Sequence, residues 1–192
     1  MPMKKIFTLC FLVLLATGAM AQNGARKYSI KSGIATLITT TGDTQSESTQ
    51  YFDNYGAQEC LKQHMEMPGL VSYDYYTITK GDKAWFVTDV DGKKSSKGFD
   101  NPTPDLNFLN PTDEIKAKYN IQELGTDTFL GKKCTKYSYE TIQKRKTVSW
   151  TVWVYKGFVL KSITKMGKRE NVIEVTKLQE NVAVPAGIFD IP

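Results

Sequence analysis

From Tyr28 onward the chain alternates apolar and polar side chains with a period of two, and glycine-containing turns interrupt the alternation repeatedly. A period of two puts successive side chains on opposite faces of a strand, so this pattern restricts the fold to one built mainly from antiparallel strands. "YSIKSGIATLITT" places Tyr28, Ile30, Ile34 and Ile38 on one face. "DTQSESTQYFD" is far more polar but has no helical stripe and reads as extended. After a turn at Asn54-Tyr55-Gly56, "AQECLKQHMEM" fits either a strand or a short helix and ends at Pro68-Gly69. "LVSYDYYTI" and "KAWFVTDVD" form a hairpin through Lys80-Gly81-Asp82, closed by Asp91-Gly92.

Residues 93–111 hold Gly98, Pro102, Pro104 and Pro111 and read as one long surface loop. Phe99, Leu106, Phe108 and Leu109 lie within it, so it must dock on something, and Phe108 and Leu109 are candidates for a lid. A short helix follows, with Asn110 as its cap, Pro111 at its first position, Asp113 and Glu114 in its first turn, and Ile115 on the same side as Tyr119. "CTKYSYETI", "TVSWTVWVY", "FVLKSITK" and "ENVIEVTKLQENV" are further strands. The count is eight to ten strands and one to three short helices. If Lys156 and Gly157 form the turn, Val154 pairs with Val159 and Trp153 with Leu160, so both faces of this hairpin are apolar. One face then packs on the core, and the other lines a cavity or is covered.

The first residues carry an export signal. Lys4 and Lys5 precede an apolar run, Ile6 to Ala16, and Ala19-Met20-Ala21 sets a cleavage site before Gln22. The run is shorter than the ~20 residues of a membrane-spanning helix. Residues 1–21 are therefore a signal peptide and 22–192 a single domain. Cys10 lies inside the apolar core of the signal, which argues against a lipid anchor. Removing Lys4 and Lys5 lowers the formal charge of +5 to about +3. The lysines are interspersed with acids, which suits a solvated surface and not a nucleic-acid stripe. Cys60 and Cys134 are the two cysteines beyond the signal, and in an oxidising compartment an even count permits one bridge.

Catalytic signatures are not written in the sequence. His64 is the single histidine and has no companions at metal-ligand spacing. Neither a G-x-S-x-G elbow nor a phosphate-cradling glycine loop occurs, and Asp89 and Asp91 adjoin a glycine turn where aspartate is an ordinary turn residue. These features predict a non-enzyme without cofactor or metal, although catalytic groups dispersed along the chain would leave no local trace. The abundant aromatics suit either a core or a ligand cavity. Tyr75, Phe86, Phe108, Leu109, Ile115, Tyr119, Trp150, Trp153 and Leu160 are the pocket or lid candidates.

"TDTFLGKKCTKYSYE", "VSWTVWVYKGFVLKS" and "EVTKLQENVAVPAGIFDIP" resemble exported Bacteroidota proteins related to the outer-membrane lipoprotein-sorting, or lipoprotein-carrier, superfamily. "GIATLITTTGDTQSESTQYFDNYGAQEC" extends the resemblance to most of the chain beyond the signal. Gly131, Cys134, Trp153, Gly157, Pro185, Phe189 and Pro192 carry it as scaffold positions. The resemblance implies an α+β, mainly β fold: a strongly curved antiparallel sheet forming an open half-barrel, with short helices over its concave face. It also implies a periplasmic carrier of lipid, acyl chains or lipoprotein, free or associated with the outer membrane. Two alternatives stay open: an envelope protein-interaction or structural protein without a cavity, and a hydrolase with dispersed catalytic residues.

Overall fold

A computed structural model describes residues 26–65, 72–143, 146–166 and 169–192. The expected signal peptide, residues 1–21, lies outside them. The described residues form eleven strands: β1 (Gly33–Thr41), β2 (Thr44–Asp53), β3 (Gln58–Met65), β4 (Tyr73–Lys80), β5 (Lys83–Val90), β6 (Lys93–Asp100), β7 (Gln122–Phe129), β8 (Lys132–Gln143), β9 (Lys146–Tyr155), β10 (Phe158–Met166) and β11 (Arg169–Glu180). Their order in one sheet is β6-β5-β4-β3-β2-β1-β11-β10-β9-β8-β7. All neighbours are antiparallel, and β1 against β11 joins the first strand to the last. Two-residue turns with both residues in the left-handed region, Asp91-Gly92 and Lys156-Gly157, connect hairpins whose right-handed twist requires that geometry.

The expected half-barrel is not what the strands build. The sheet is open, with β6 and β7 as its two edges. Register shifts occur only at Thr36/Leu37, Glu123/Gly125 and Val159/Lys161, while β2 to β6 pair without a slip. Bulges are the usual means of bending a sheet sharply, and these five strands lack them. Nor do several helices cover one face. The described residues contain a single α-helix, α1 (Asp113–Lys118), and a 3-10 turn at Asn54–Gly56. Pro102 and Pro104 break any helix ahead of α1, so its approach stays irregular.

A second correction concerns residues 93–111. Lys93–Asp100 is not loop but the edge strand β6, every residue of which is exposed. An edge strand with both faces in water needs no apolar alternation, and its lysines protect the unpaired edge from further pairing. Because β6 and β7 are consecutive in sequence yet lie at opposite edges, residues 101–121 must cross one face of the sheet. This crossing segment, the strap, divides the sheet into a strap face and an opposite face.

Register assigns the side chains. Ala35, Leu37, Leu61, Tyr75, Thr77, Phe86, Tyr139, Trp150 and Val152 belong to the strap face. On β1, Ala35 and Leu37 are buried and Ile34 and Ile38 only half-buried, the reverse of the expected face. Gly33 explains part of this: a Cβ there would lie 2.4 Å from the Phe52 ring, so the small side of β1 admits that ring. Tyr28, Phe52 and Phe158 form a ring cluster with centroids 5.0–5.2 Å apart. On the opposite face, Ile188, Phe189 and Ile191 of the C-terminal tail cover Cys60, Ile78 and Val87. Ser96 Oγ holds the tail by donating to the Pro192 carbonyl at 2.9 Å.

The expected Cys60–Cys134 bridge is absent; both are free, buried thiols. Cys60 is on β3 and Cys134 on β8, with five strands between them. They pack in different core clusters, Cys60 beside the tail and Cys134 with Trp153 and Phe158. At ~4.8 Å per strand, their separation along the sheet far exceeds the ~7 Å between Cα atoms that a disulfide spans.

Candidate functional site

The strap is fixed to the sheet by apolar anchors and by polar ties to its own helix. Phe108 is buried against Tyr137 and Tyr139, its ring 5.5 and 5.4 Å from theirs, in a cluster with Val152, Val154 and Tyr119. Asp105 accepts from Lys118 Nζ at 2.7 Å and from the Tyr119 hydroxyl at 2.6 Å. Burial would raise the Asp105 carboxyl, but those two donors outweigh it and hold the group below its ordinary range. Asn107 donates to the Arg26 carbonyl at 2.9 Å and accepts from Leu109 N–H at 2.8 Å. Thr112, not Asn110, caps α1, accepting from Ile115 N–H at 3.3 Å.

Two cavities flank this anchor. One, of about 330 Å³, lies where the strap meets β2–β4 and the β9–β10 turn, with Leu61, Leu106, Phe108 and Val159 as its apolar wall and Thr77 and Thr79 on its floor. Its polar end is Glu59, which accepts from Lys27 at 3.0 Å, from Gln50 at 3.1 Å and from the Tyr28 hydroxyl. Burial, with the Glu59 carboxylate beside it, pushes that hydroxyl well above its ordinary range. Three donors therefore occupy the Glu59 oxygens, which makes it a structural anchor and a poor general base. The other cavity, of about 580 Å³, lies on the far side of the strap between Pro102, Tyr119, Tyr139, Ile142 and Trp150. There Trp150 stacks on Tyr139 at 5.5 Å and donates to Thr141 Oγ1 at 2.9 Å.

The candidates named from sequence divide among these surroundings. Phe108 lines the first cavity, Tyr119 and Trp150 line the second, and Ile115 packs against the cluster between them. Leu109 is half-buried against Gly157: a Cβ on that glycine would lie 3.0 Å from the Leu109 Cβ. Leu160 is fully buried in the β10 bulge, which moves Trp153 from opposite Leu160 to opposite Lys161, while Val154 still pairs with Val159. Trp153 is on the opposite face, between Lys136 at 4.6 Å and Lys161 at 5.2 Å, and donates to Asp127 at 2.8 Å. Tyr75 and Phe86 lie on the strap face beyond the strap, their rings 5.1 Å apart. Sequence reasoning missed Glu59, Gln50 and Leu61. The alternation of β3 placed Glu59 and Leu61 on one face, but only the register against β2 brings Gln50 there.

Groups of three or more His, Cys, Asp or Glu that could hold a metal are absent among the described residues. Neither cavity is lined by histidine or cysteine. Burial pushes the Cys60 thiol up to about 11 and the Cys134 thiol above its ordinary value, which leaves both poor nucleophiles. No helix among the described residues is long and apolar enough to cross a membrane.

The molecule is thus an open antiparallel-sheet protein with strap-flanked, largely apolar cavities on one face. No protein-family model matches the sequence, and no curated protein matches it as a relative. Among solved structures the similarities are distant, each with a TM-score below 0.5. Mycobacterium tuberculosis lipoprotein LppX is 14% identical, with 82% of this chain and 91% of that chain covered and a TM-score of 0.42. A LolA superfamily protein from Nitrosomonas europaea is 12% identical, with 86% and 93% covered and a TM-score of 0.39. The Pseudomonas aeruginosa MucA/MucB complex gives 12% identity, 84% of this chain and a TM-score of 0.42; this chain spans 56% of the matched one.

Proposed function

We propose that the protein is a non-catalytic binding or carrier protein for lipid or other apolar chains, working in the periplasm after export. The observation that carries this reading is the apolar-walled cavity of about 330 Å³ beneath the strap. It opens onto strap-face aromatics, of which Phe86 is exposed among the described residues. Its volume falls at the lower end of the ~300–1,000 Å³ range of small-molecule sites. Burying about ten methylenes of one acyl chain there and on the adjoining face would contribute ~8 kcal/mol before the ordering cost is subtracted. That is enough for retention without a single catalytic group. Release then requires only that the strap loosen, since Phe108 and Leu106 supply part of the wall.

The test is native mass spectrometry of the protein exported to a bacterial periplasm and purified without detergent, followed by organic extraction. An adduct that extracts as phospholipid or an acylated species is the expected result. A bare protein mass, with nothing extracted, would overturn the proposal. The envelope-interaction alternative would then take its place, because the same strap-face aromatics would be left to contact another protein.

A further inference from the structure

Large apolar side chains are unevenly distributed over the surface. Of the seven that are substantially exposed among the described residues, four are Met65, Phe86, Val90 and Phe99. Cross-strand register puts all four on the strap face of β3–β6: Phe86 and Lys97 are partners, as are Val90 and Lys93, Met65 and Tyr73, and Ala84 and Phe99. Tyr73 and Tyr75 join Phe86 in a continuous row, with ring centroids 4.7 and 5.1 Å apart. This band begins at Leu61 and Thr77 in the wall and floor of the cavity and runs outward to the β6 edge.

Charge on these four strands is sorted by face. They contain four acids: Glu59, Asp74, Asp89 and Asp100. Register places Asp74, Asp89 and Asp100 on the opposite face. Glu59 is on the strap face, but Lys27, Gln50 and Tyr28 occupy it. The remaining charges of the strap face are Lys93 and Lys97 at the rim of the aromatic band, and among the described residues neither forms an ion pair. Lys94, between them in sequence, points the other way and lies over the Tyr76 ring on the opposite face. Edge lysines alone would be ordinary protection against strand addition. Here two of the three border an apolar band that is exposed among the described residues and whose only acid is already neutralised.

We propose that this face binds an anionic phospholipid. Its acyl chains run along the Leu61–Phe86–Tyr75–Tyr73 band into the cavity, and its phosphate is held by Lys93 and Lys97. The inference rests on the lipid-binding reading above and adds the charge of the cargo and the position of its head group. An ammonium meeting phosphate at the rim of an apolar site gains from the low local dielectric more than a fully solvated pair does.

The experiment is lipid uptake by the detergent-free protein from vesicles of phosphatidylglycerol or phosphatidylcholine, read by native mass spectrometry and by partition across a salt series. Uptake of phosphatidylglycerol at least tenfold above phosphatidylcholine, weakened by salt, is expected. Lys93→Glu with Lys97→Glu should remove that preference while leaving residual uptake of both lipids, and Lys94→Glu on the same strand should keep it. Equal uptake of the two lipids, or equal effects of the two sets of charge reversals, would overturn the inference while leaving the lipid-binding reading intact. No uptake of either lipid overturns both.

Discussion

The Lys156-Gly157 turn offers a test of the packing beneath the strap that has an internal control. Gly157 has φ +84, and a Cβ there would sit 2.2 Å from the Lys27 carbonyl oxygen and 3.0 Å from Leu109 Cβ. Gly92 occupies the equivalent position of the Asp91-Gly92 turn, with φ +78 and nothing within 4 Å. Gly92→Ala should therefore cost only the left-handed backbone, about 1–2 kcal/mol. Gly157→Ala carries the same cost and must also displace a main-chain oxygen. That displacement strains the Ser29 N–H bond to the Lys156 carbonyl, 2.9 Å long, and the seat of Leu109. Overpacking of about 1–3 kcal/mol together with a weakened hydrogen bond of about 1 kcal/mol predicts an excess loss of roughly 2–4 kcal/mol. At ~2–4 °C per kcal/mol for a domain of this size, the melting temperature of Gly157→Ala should fall roughly 5–15 °C below that of Gly92→Ala. Thermal melts followed by circular dichroism, with urea titrations for the free energies, measure the difference. Equal losses in the two variants would refute the close approach of Lys27 to the β9–β10 turn, and with it the shape of the cavity beside it.

Other outcomes follow from the same geometry. Phe108→Ala removes the buried ring that anchors the strap and should cost about 3–5 kcal/mol in urea unfolding. Protein purified without residues 1–21 should have its full reduced mass, with Cys60 and Cys134 as thiols that iodoacetamide alkylates in denaturant and reaches far more slowly in the native state, since both are buried. Because the folded Asp105 carboxyl is held below its ordinary range, its contribution is present above the unfolded value near ~4 and is lost as pH falls through the folded value. Asp105→Asn should remove that acid-range slope from a stability–pH profile, and its cost at neutral pH should stay below about 1 kcal/mol because the carboxylate is 37% exposed.

Alternation made the strands legible, and the glycine turns made the hairpins legible. The rule failed where burial was not the reason for extension. β6 has two wet faces and so lacks the apolar signal that identified β4 and β5; its only sequence mark is the Asp91-Gly92 turn, which requires a returning strand. The bridge failed for a related reason. Counting cysteines tests compartment and parity, whereas strand order decides distance, and the β1–β11 pairing that sets this order is a long-range event with no local signature.

That pairing also explains why the candidate site was only half visible. Phe108, Tyr119 and Trp150 were legible as aromatics beside a loop and a helix. The polar anchor was not, because Glu59, Gln50, Lys27 and Tyr28 come from three separate segments. Once β1 meets β11, however, β6 and β7 become the two edges, and the chain between them has no route except across a face. The strap, and with it the cavities on either side of Phe108, is a consequence of strand order. Its sequence had only to supply prolines that keep it irregular and one aromatic ring to fasten it. On the carrier reading proposed above, such a strap can change its residues to suit a cargo without disturbing the ladder below, and selection for cargo would then fall on residues 101–109 and on the apolar band of β3–β6.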